Sequence, residues 1–325
     1  MDRKNILVLF PCPASHRQKL LAAAGESCHV IFKKPGEDYR EDIKTAHIIL
    51  GEPKNEDFSL CRNLELLHSP CSGVNYYVQA GSFPKDAILC CATGAYGPVI
   101  AEHMLAMTLA LCRRLPEYRD QQHRKQWQLL RYDKQLSGCT VLILGAGDIG
   151  TTLAQWLRPM VGKIIGVRRT LRPYPACYDE MITLDALDSR LEDADLVLCA
   201  LPQTAETLGL LNRDRLSKMK ADAILVNGGR GSLIDQTALC ALLDMGHFWG
   251  VGLEVTTPEP LPPENPLWDQ PRCIITPHAA GNSFAPDSPL VDKIWELMIP
   301  NVAAFLRGEA PANQVDFSTG YCESK

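Results

Sequence analysis

"TVLILGAGDIGTTLAQWL", residues 140–157, joins two unlike halves. The first five residues are uncharged and apolar or β-branched, as in a strand buried on both faces. The last seven permit a helix. Between the two stand glycines 145, 147 and 150. In a strand–turn–helix context the first glycine allows the tight turn and the second lets backbone approach a pyrophosphate. The third lets the helix pack against the strand. Asp148 and Ile149 lie in the opening turn of the helix, where free backbone amides meet phosphate oxygens. The stretch therefore reads as the start of a Rossmann-type unit, with Gly145, Gly147, Asp148, Ile149 and Gly150 forming a dinucleotide site.

Such a turn ordinarily has a carboxylate about twenty residues further on, at the end of the next strand, to bind the ribose hydroxyls. Here the next apolar run, "KIIGV", ends at Val167, and "GVRRT" supplies Arg168, Arg169 and Thr170. Arg168 lies eighteen positions after Gly150. A guanidinium in place of the carboxylate inverts the local charge and offers planar, bidentate phosphate recognition. That suits a 2′-phosphate, to which Thr170 could add a hydroxyl donor. NADP is therefore the expected cofactor, ahead of NAD.

The same rhythm extends in both directions. Upstream, short apolar runs recur at 5–10, 28–32, 46–50, 64–68 and 87–91, with loop or helix-permissive sequence between them. Continuous runs of this length read as parallel strands covered by helices. A long helix is expected from Val99 towards Gln122, disturbed in register by Pro116. Downstream, "DLVLCALP", "AILVNGG", "GVGLEV" and "CIITPH" continue a second, larger α/β domain over 98–286. An amphipathic segment at 289–308 is followed by no strand and is expected to pack on the first domain. The tail "DFSTGYCESK" reads as a frayed end.

A chain of 325 residues is longer than one hydrophobic core usually serves, in agreement with two domains. Its net charge of −5, without a long Lys/Arg run, gives no footprint for nucleic acid or an anionic membrane. The 13 cysteines include no CxxC pair or Cys/His cluster at zinc spacing, so no metal site is expected. Reduced thiols in a cytoplasmic protein are the better reading. "MDRKNILVLFP" begins like a signal peptide but breaks at Pro11, and so reads as a first strand. No apolar run reaches membrane-spanning length.

Three segments past expected strand ends carry chemistry: "LVNGGRGSLID", "GLEVTTPEPLPPENPL" and "IITPHAAGN". They supply Arg230, Glu259 and His278, 29 and 19 residues apart. Open parallel sheets place their ligands at these ends. Arg230 can hold a substrate carboxylate and polarise the neighbouring carbonyl. His278 can deliver a proton, since histidine is the side-chain type whose ordinary pKa lies nearest neutrality. Glu259, within hydrogen-bond reach, would fix the tautomer of His278 and stabilise its imidazolium.

With these motifs the chain resembles the D-isomer-specific 2-hydroxyacid dehydrogenase family, which includes glyoxylate/hydroxypyruvate reductases and phosphoglycerate dehydrogenase. The likeness also draws on "SGVNYY" (72–77), "AEHMLAM" (101–107) and "DADLVLCALPQTAETLGLLN" (193–212), and is most specific in the second half. The resemblance implies two doubly wound parallel-sheet domains. One is a smaller flavodoxin-like substrate domain (1–97 and 287–325), the other a Rossmann cofactor domain (98–286), with the active site in the cleft between. It implies Arg230, Glu259 and His278 as the catalytic trio and a small 2-oxo or 2-hydroxy acid as substrate. Cys71, Ser72, Gly73 and Val74 would lie at the substrate carboxylate. Leu201, Pro202, Thr207, Asn227, Gly228, Gly281 and His278 would line the cofactor. Homodimers through the cofactor domain and its long helix are usual in such proteins.

One departure concerns Glu254, which stands where the family commonly has an aspartate near the nicotinamide amide. Another is Cys71 in the substrate loop, read as a space-filler. Glu102 and His103 are read as structural. Two alternatives share the fold. One is a dinucleotide-responsive binding module, since a related corepressor keeps the arginine–glutamate–histidine set. The other is a formate-dehydrogenase-like enzyme, whose relatives carry glutamine where this chain has Glu259.

Overall fold

A computed structural model of the chain describes residues 3–281 and 284–322. The chain divides into two units, Met1–Tyr96 with Ser283–Lys325, and Gly97–Asn282.

Each apolar run of the first unit forms a strand. These are β1 (Lys4–Val8), β2 (Cys28–Phe32), β3 (Ile48–Leu50), β4 (Leu66–His68) and β5 (Ile88–Cys90), with helices α1 (Ala14–Ala24) and α2 (Asn75–Gln79) between them. All strands are parallel, in the order β2-β1-β3-β4-β5. That order is the flavodoxin-like one. The inner strands β3 and β4 are buried at every position, which explains why their sequences do not alternate with polar residues.

The second unit opens with α3 (Gly97–Cys112) and α4 (Leu115–His123) and continues β6 (Thr140–Leu144), α5 (Asp148–Leu157), β7 (Lys163–Val167) and β8 (Glu180–Ile182). Then come α6 (Asp188–Leu191), β9 (Leu196–Cys199), α7 (Arg213–Lys218), β10 (Ile224–Asn227), α8 (Gln236–Asp244), β11 (Gly250–Leu253) and β12 (Cys273–Ile275). Its seven strands are parallel, in the order β12-β11-β10-β9-β6-β7-β8. The order reverses between β6 and β9, the point at which doubly wound sheets open a ligand crevice. The glycine turn follows β6 there.

Two expectations are corrected. The helix from Val99 to Gln122 is two helices, because Arg114 adopts the left-handed conformation with φ 56. Pro116 falls in the first turn of α4, where its missing N–H costs nothing. Carried on as one helix, the chain would set its ring against the Cys112 carbonyl. Glu117 holds the break by pairing with Arg114, whose Nε donates at 2.8 Å. The tail, in turn, is docked as far as residue 322. Just before it Gln314 bridges Cys90 antiparallel and Val315 N donates to Leu89 O at 2.8 Å, and within it Asp316 bridges Tyr321 antiparallel and Cys322 is buried. Residues 323–325 lie outside the described part. Hydrogen bonding from Cys322, and then Thr93, pulls the Cys91 thiol down, whereas burial pushes Cys90 up to about 12.

The 289–308 segment forms α9 (Pro289–Leu306) in the first unit and packs on α1. Trp295 is fully buried, donates from Nε1 to Pro11 O at 2.8 Å and stacks on His16, whose Nε2 meets Asp292 at 2.8 Å. Among the described residues no helix is long and apolar enough to cross a membrane.

Trp295→Ala removes this packing and the indole hydrogen bond. It is expected to lower the free energy of unfolding in urea by about 3–5 kcal/mol, and a loss below about 1 kcal/mol would contradict the described packing.

Candidate active site

The glycine turn is fixed from two sides. The amides of Gly145 and Ala146 both donate to Val167 O at 3.0 Å, which ties the turn to the end of β7, next to Arg168. A Cβ at Gly145 would lie 2.7 Å from Ala200 O, and one at Gly150 would lie 2.0 Å from Gly145 O. The fold itself therefore demands these two glycines. At Gly147 a Cβ would meet nothing within 4 Å, and its φ of −91 suits any residue. Among the described residues no packing demands the middle glycine, and Gly147, as the N-cap, brings no side chain to the amides of α5. A helix start of this kind can receive a phosphate.

Arg168 starts beyond β7 with its amide donating to Ile182 O at 3.1 Å. Its side chain is half-buried, and its Nε is buried without a hydrogen-bond partner. Burial, and then the nearby Arg172, push the guanidinium below its usual value. The 3.4 Å contact from Nη1 to Arg172 O brings in a third arginine of this loop that the motif did not single out. Arg169 is exposed and stands 3.6 Å from Glu206, and Thr170 is exposed.

Several residues assigned to the cofactor turn their side chains to other tasks. Asp148 accepts from the Gly97 amide at 2.7 Å and so ties α5 to α3; burial raises its carboxyl. Thr207 donates to Pro202 O at 2.7 Å and accepts from Thr204 N at 2.8 Å, which shapes the loop carrying Leu201 and Pro202. Asn227, fully buried, accepts from Gly229 N at 3.1 Å and donates to Arg230 O at 2.9 Å. It thereby folds the turn that presents Arg230. Gly228 lies against Met104, with room for no Cβ.

Because β10, β11 and β12 are adjacent and parallel, Arg230, Glu259 and His278 all follow strand ends on one edge of the sheet. Contacts run from one segment to the next. Gly231 packs so closely on Thr256 that a Cβ would lie 2.0 Å from its carbonyl oxygen. Thr256 N donates to Glu259 Oε1 at 3.0 Å, and Glu259 Oε2 meets His278 Nδ1 at 2.8 Å. The histidine side chain is 48 % exposed and the glutamate 39 %. The sequence thus named a carboxylate–imidazole pair that the structure assembles. Arg230 is half-buried, and its Nη1 donates to Gly229 O at 2.7 Å.

Glu254 is buried, at 2 % exposure, and accepts from Ala280 N at 2.6 Å and from the Thr276 hydroxyl. His103 Nε2 lies 3.0 Å from the same carboxylate. In the first unit, the loop after β4 holds Cys71, Ser72 and Gly73 half-buried, and the Val74 side chain lies in the core. Cys71 N donates to Ser69 Oγ at 3.0 Å and Ala92 N to Cys71 O at 3.0 Å.

The three glycines yield a separable prediction. Gly147→Ala should keep the unfolding free energy within about 1 kcal/mol of the parent. It should nevertheless weaken dinucleotide binding, read by calorimetry, by about tenfold or more. Gly150→Ala should lose stability itself, by about 1–3 kcal/mol. Unchanged affinity in Gly147→Ala would contradict a phosphate at the turn.

The family model for the D-isomer specific 2-hydroxyacid dehydrogenase NAD binding domain matches residues 105–280, more than half of the chain. An uncharacterized protein in the proB 3′ region of Corynebacterium melassecola is 32 % identical over 306 residues, 91 % of this chain and 97 % of that one. A D-isomer specific 2-hydroxyacid dehydrogenase family protein from Aeromonas salmonicida superposes with a TM-score of 0.84 at 32 % identity, covering 97 % of this chain and 100 % of the other. The NADPH-dependent glyoxylate/hydroxypyruvate reductase of Sinorhizobium meliloti, solved with NADP and sulfate, gives a TM-score of 0.80 at 25 % identity, covering 98 % and 100 %. With its two all-parallel sheets, glycine turn and strand-end residues, the chain belongs to the D-isomer specific 2-hydroxyacid dehydrogenase family and is an NAD(P)-dependent enzyme.

Proposed function

We propose that the protein reduces a small 2-oxo acid to the D-2-hydroxy acid with NADPH, using Arg230, Glu259 and His278. The observation that carries this reading is the 2.8 Å contact between His278 Nδ1 and Glu259 Oε2 at the ligand-binding edge of the sheet. A bound nicotinamide dinucleotide supplies the hydride, so the protein must supply a proton and hold the acid. With Nδ1 committed to Glu259, His278 transfers the proton from Nε2, and the carboxylate stabilises the imidazolium that precedes transfer. Arg230 binds the substrate carboxylate and polarises the adjacent carbonyl as charge develops on its oxygen. A proton-donating pair is superfluous for formate oxidation, which moves only a hydride.

The NADPH assignment rests on Arg168. A guanidinium with a buried, unpartnered Nε beside the glycine turn is costly unless an acceptor arrives. A 2′-phosphate is such an acceptor, and Arg169 and Thr170 extend the site. The Sinorhizobium meliloti relative, described as NADPH-dependent, supports the same choice.

A cytoplasmic location, where reduced thiols persist, is part of this proposal. The protein is proposed to work as a homodimer through α3 and the segment after it, where Leu109, Leu115, Trp127, Leu129 and Tyr132 are exposed. Sedimentation as a single chain would contradict this.

Two experiments test the mechanism. Reduction consumes protonated His278 and oxidation needs it neutral, so the kcat/KM optimum for reduction should lie at lower pH than that for oxidation. Superimposable profiles in the two directions would refute the proton-donor role. Arg168→Ala should raise the KM for NADPH by about tenfold or more while leaving NADH turnover nearly unchanged. Equal effects on the two cofactors would remove the phosphate assignment.

A further inference from the structure

His278 stands on poorly supported backbone. The strand before it, β12, is at the sheet edge and pairs only with β11. Pro277, His278 and Ala279 are exposed, so apolar burial does not hold the loop. His278 adopts φ 53, a left-handed conformation that costs a non-glycine residue of order 1–2 kcal/mol. Something else must fix the backbone that aims the imidazole at Glu259.

Leu253 O accepts from Thr276 N at 2.9 Å and Thr276 O from His278 N at 3.0 Å, and the remaining acceptors belong to Glu254. Its main-chain oxygen accepts from His278 N at 3.0 Å. Its carboxylate binds both ends of the loop, Oε1 accepting from Ala280 N at 2.6 Å and Oε2 from the Thr276 hydroxyl. A carboxylate this buried requires compensation. His103, from α3, provides it, with Nε2 3.0 Å from Oε2 and 3.0 Å from Thr276 Oγ1. Both carboxylate oxygens are thereby engaged within the protein.

We infer that Glu254, braced by His103, is a positioning residue that holds the His278 loop in its working conformation, in place of the nicotinamide contact expected of an aspartate here. Side-chain length is the deciding quantity. Aspartate would draw the carboxylate back by about 1.5 Å, one carbon–carbon bond, and the Ala280 amide would pass out of hydrogen-bond range. A misplacement on that scale at a proton donor costs about a hundredfold in rate. The inference rests on the role proposed for His278, but part of its test does not depend on turnover.

That part is hydrogen–deuterium exchange over residues 273–281 in the parent, Glu254→Asp, Glu254→Gln and His103→Ala. Glu254→Asp and His103→Ala should exchange faster there and nowhere else, whereas Glu254→Gln, which keeps the reach to Ala280, should stay closer to the parent. Should Glu254→Asp fail to fold, His103→Ala carries the comparison. In turnover, Glu254→Asp should lose about tenfold or more in kcat. The dissociation constant for NADPH, read by fluorescence, should stay within about twofold. Unchanged exchange in both Glu254→Asp and His103→Ala overturns the inference, as does weakened NADPH binding with kcat preserved. Faster exchange with kcat intact also overturns it. If the parent reduces no 2-oxo acid, the reaction assignment fails while the exchange result still decides what Glu254 holds.

Discussion

A parallel sheet delivers its functional residues at one edge, and its outermost strand has neighbours on one side only. In this protein that strand is β12, and the short loop after it carries His278. Everything proposed for the reaction depends on holding an exposed imidazole on a weakly supported loop. Two carboxylates from the β11 side do this. Glu259 binds the ring at Nδ1, and Glu254 accepts from the Thr276 hydroxyl and the Ala280 amide. One meets the imidazole and the other anchors the chain that carries it. The division of labour follows from their environments, since Glu259 is partly exposed and Glu254 is almost wholly buried.

The cofactor side follows a similar logic at the centre of the sheet. Gly145 and Gly150 are required by close backbone approach, and the turn is bonded to the end of β7 through Val167 O. Arg168 is therefore held beside the turn by strand pairing, independent of any ligand. The strands fix where Arg168, proposed above as the 2′-phosphate contact, stands.

Much of this was legible in the sequence. The strands of both units, the glycine turn and the Arg230, Glu259 and His278 triplet all lie in local patterns of apolar runs and turn residues. The pairing of Glu259 with His278 follows from adjacent parallel strands. What escaped was direction and long-range contact. Nothing in the string shows that Asn227 and Thr207 turn inward to shape loops, or that Glu254 accepts from the Ala280 amide. His103 lies 151 positions before Glu254, and only the packing of α3 on the sheet brings them together. The helix break at Arg114 depends on a single left-handed residue. The tail looked frayed because the Cys91 thiol that Cys322 meets lies far away in sequence.

The most direct test of the account is a side-by-side measurement of initial rates with NADPH and NADH against glyoxylate, hydroxypyruvate, pyruvate and a bulkier branched 2-oxo acid. The account predicts turnover of at least one of these acids, with NADPH well ahead of NADH. Turnover with NADH alone would contradict the reading of Arg168. Tight dinucleotide binding without reduction of any 2-oxo acid would contradict the assignment of Arg230, Glu259 and His278 as a reducing site.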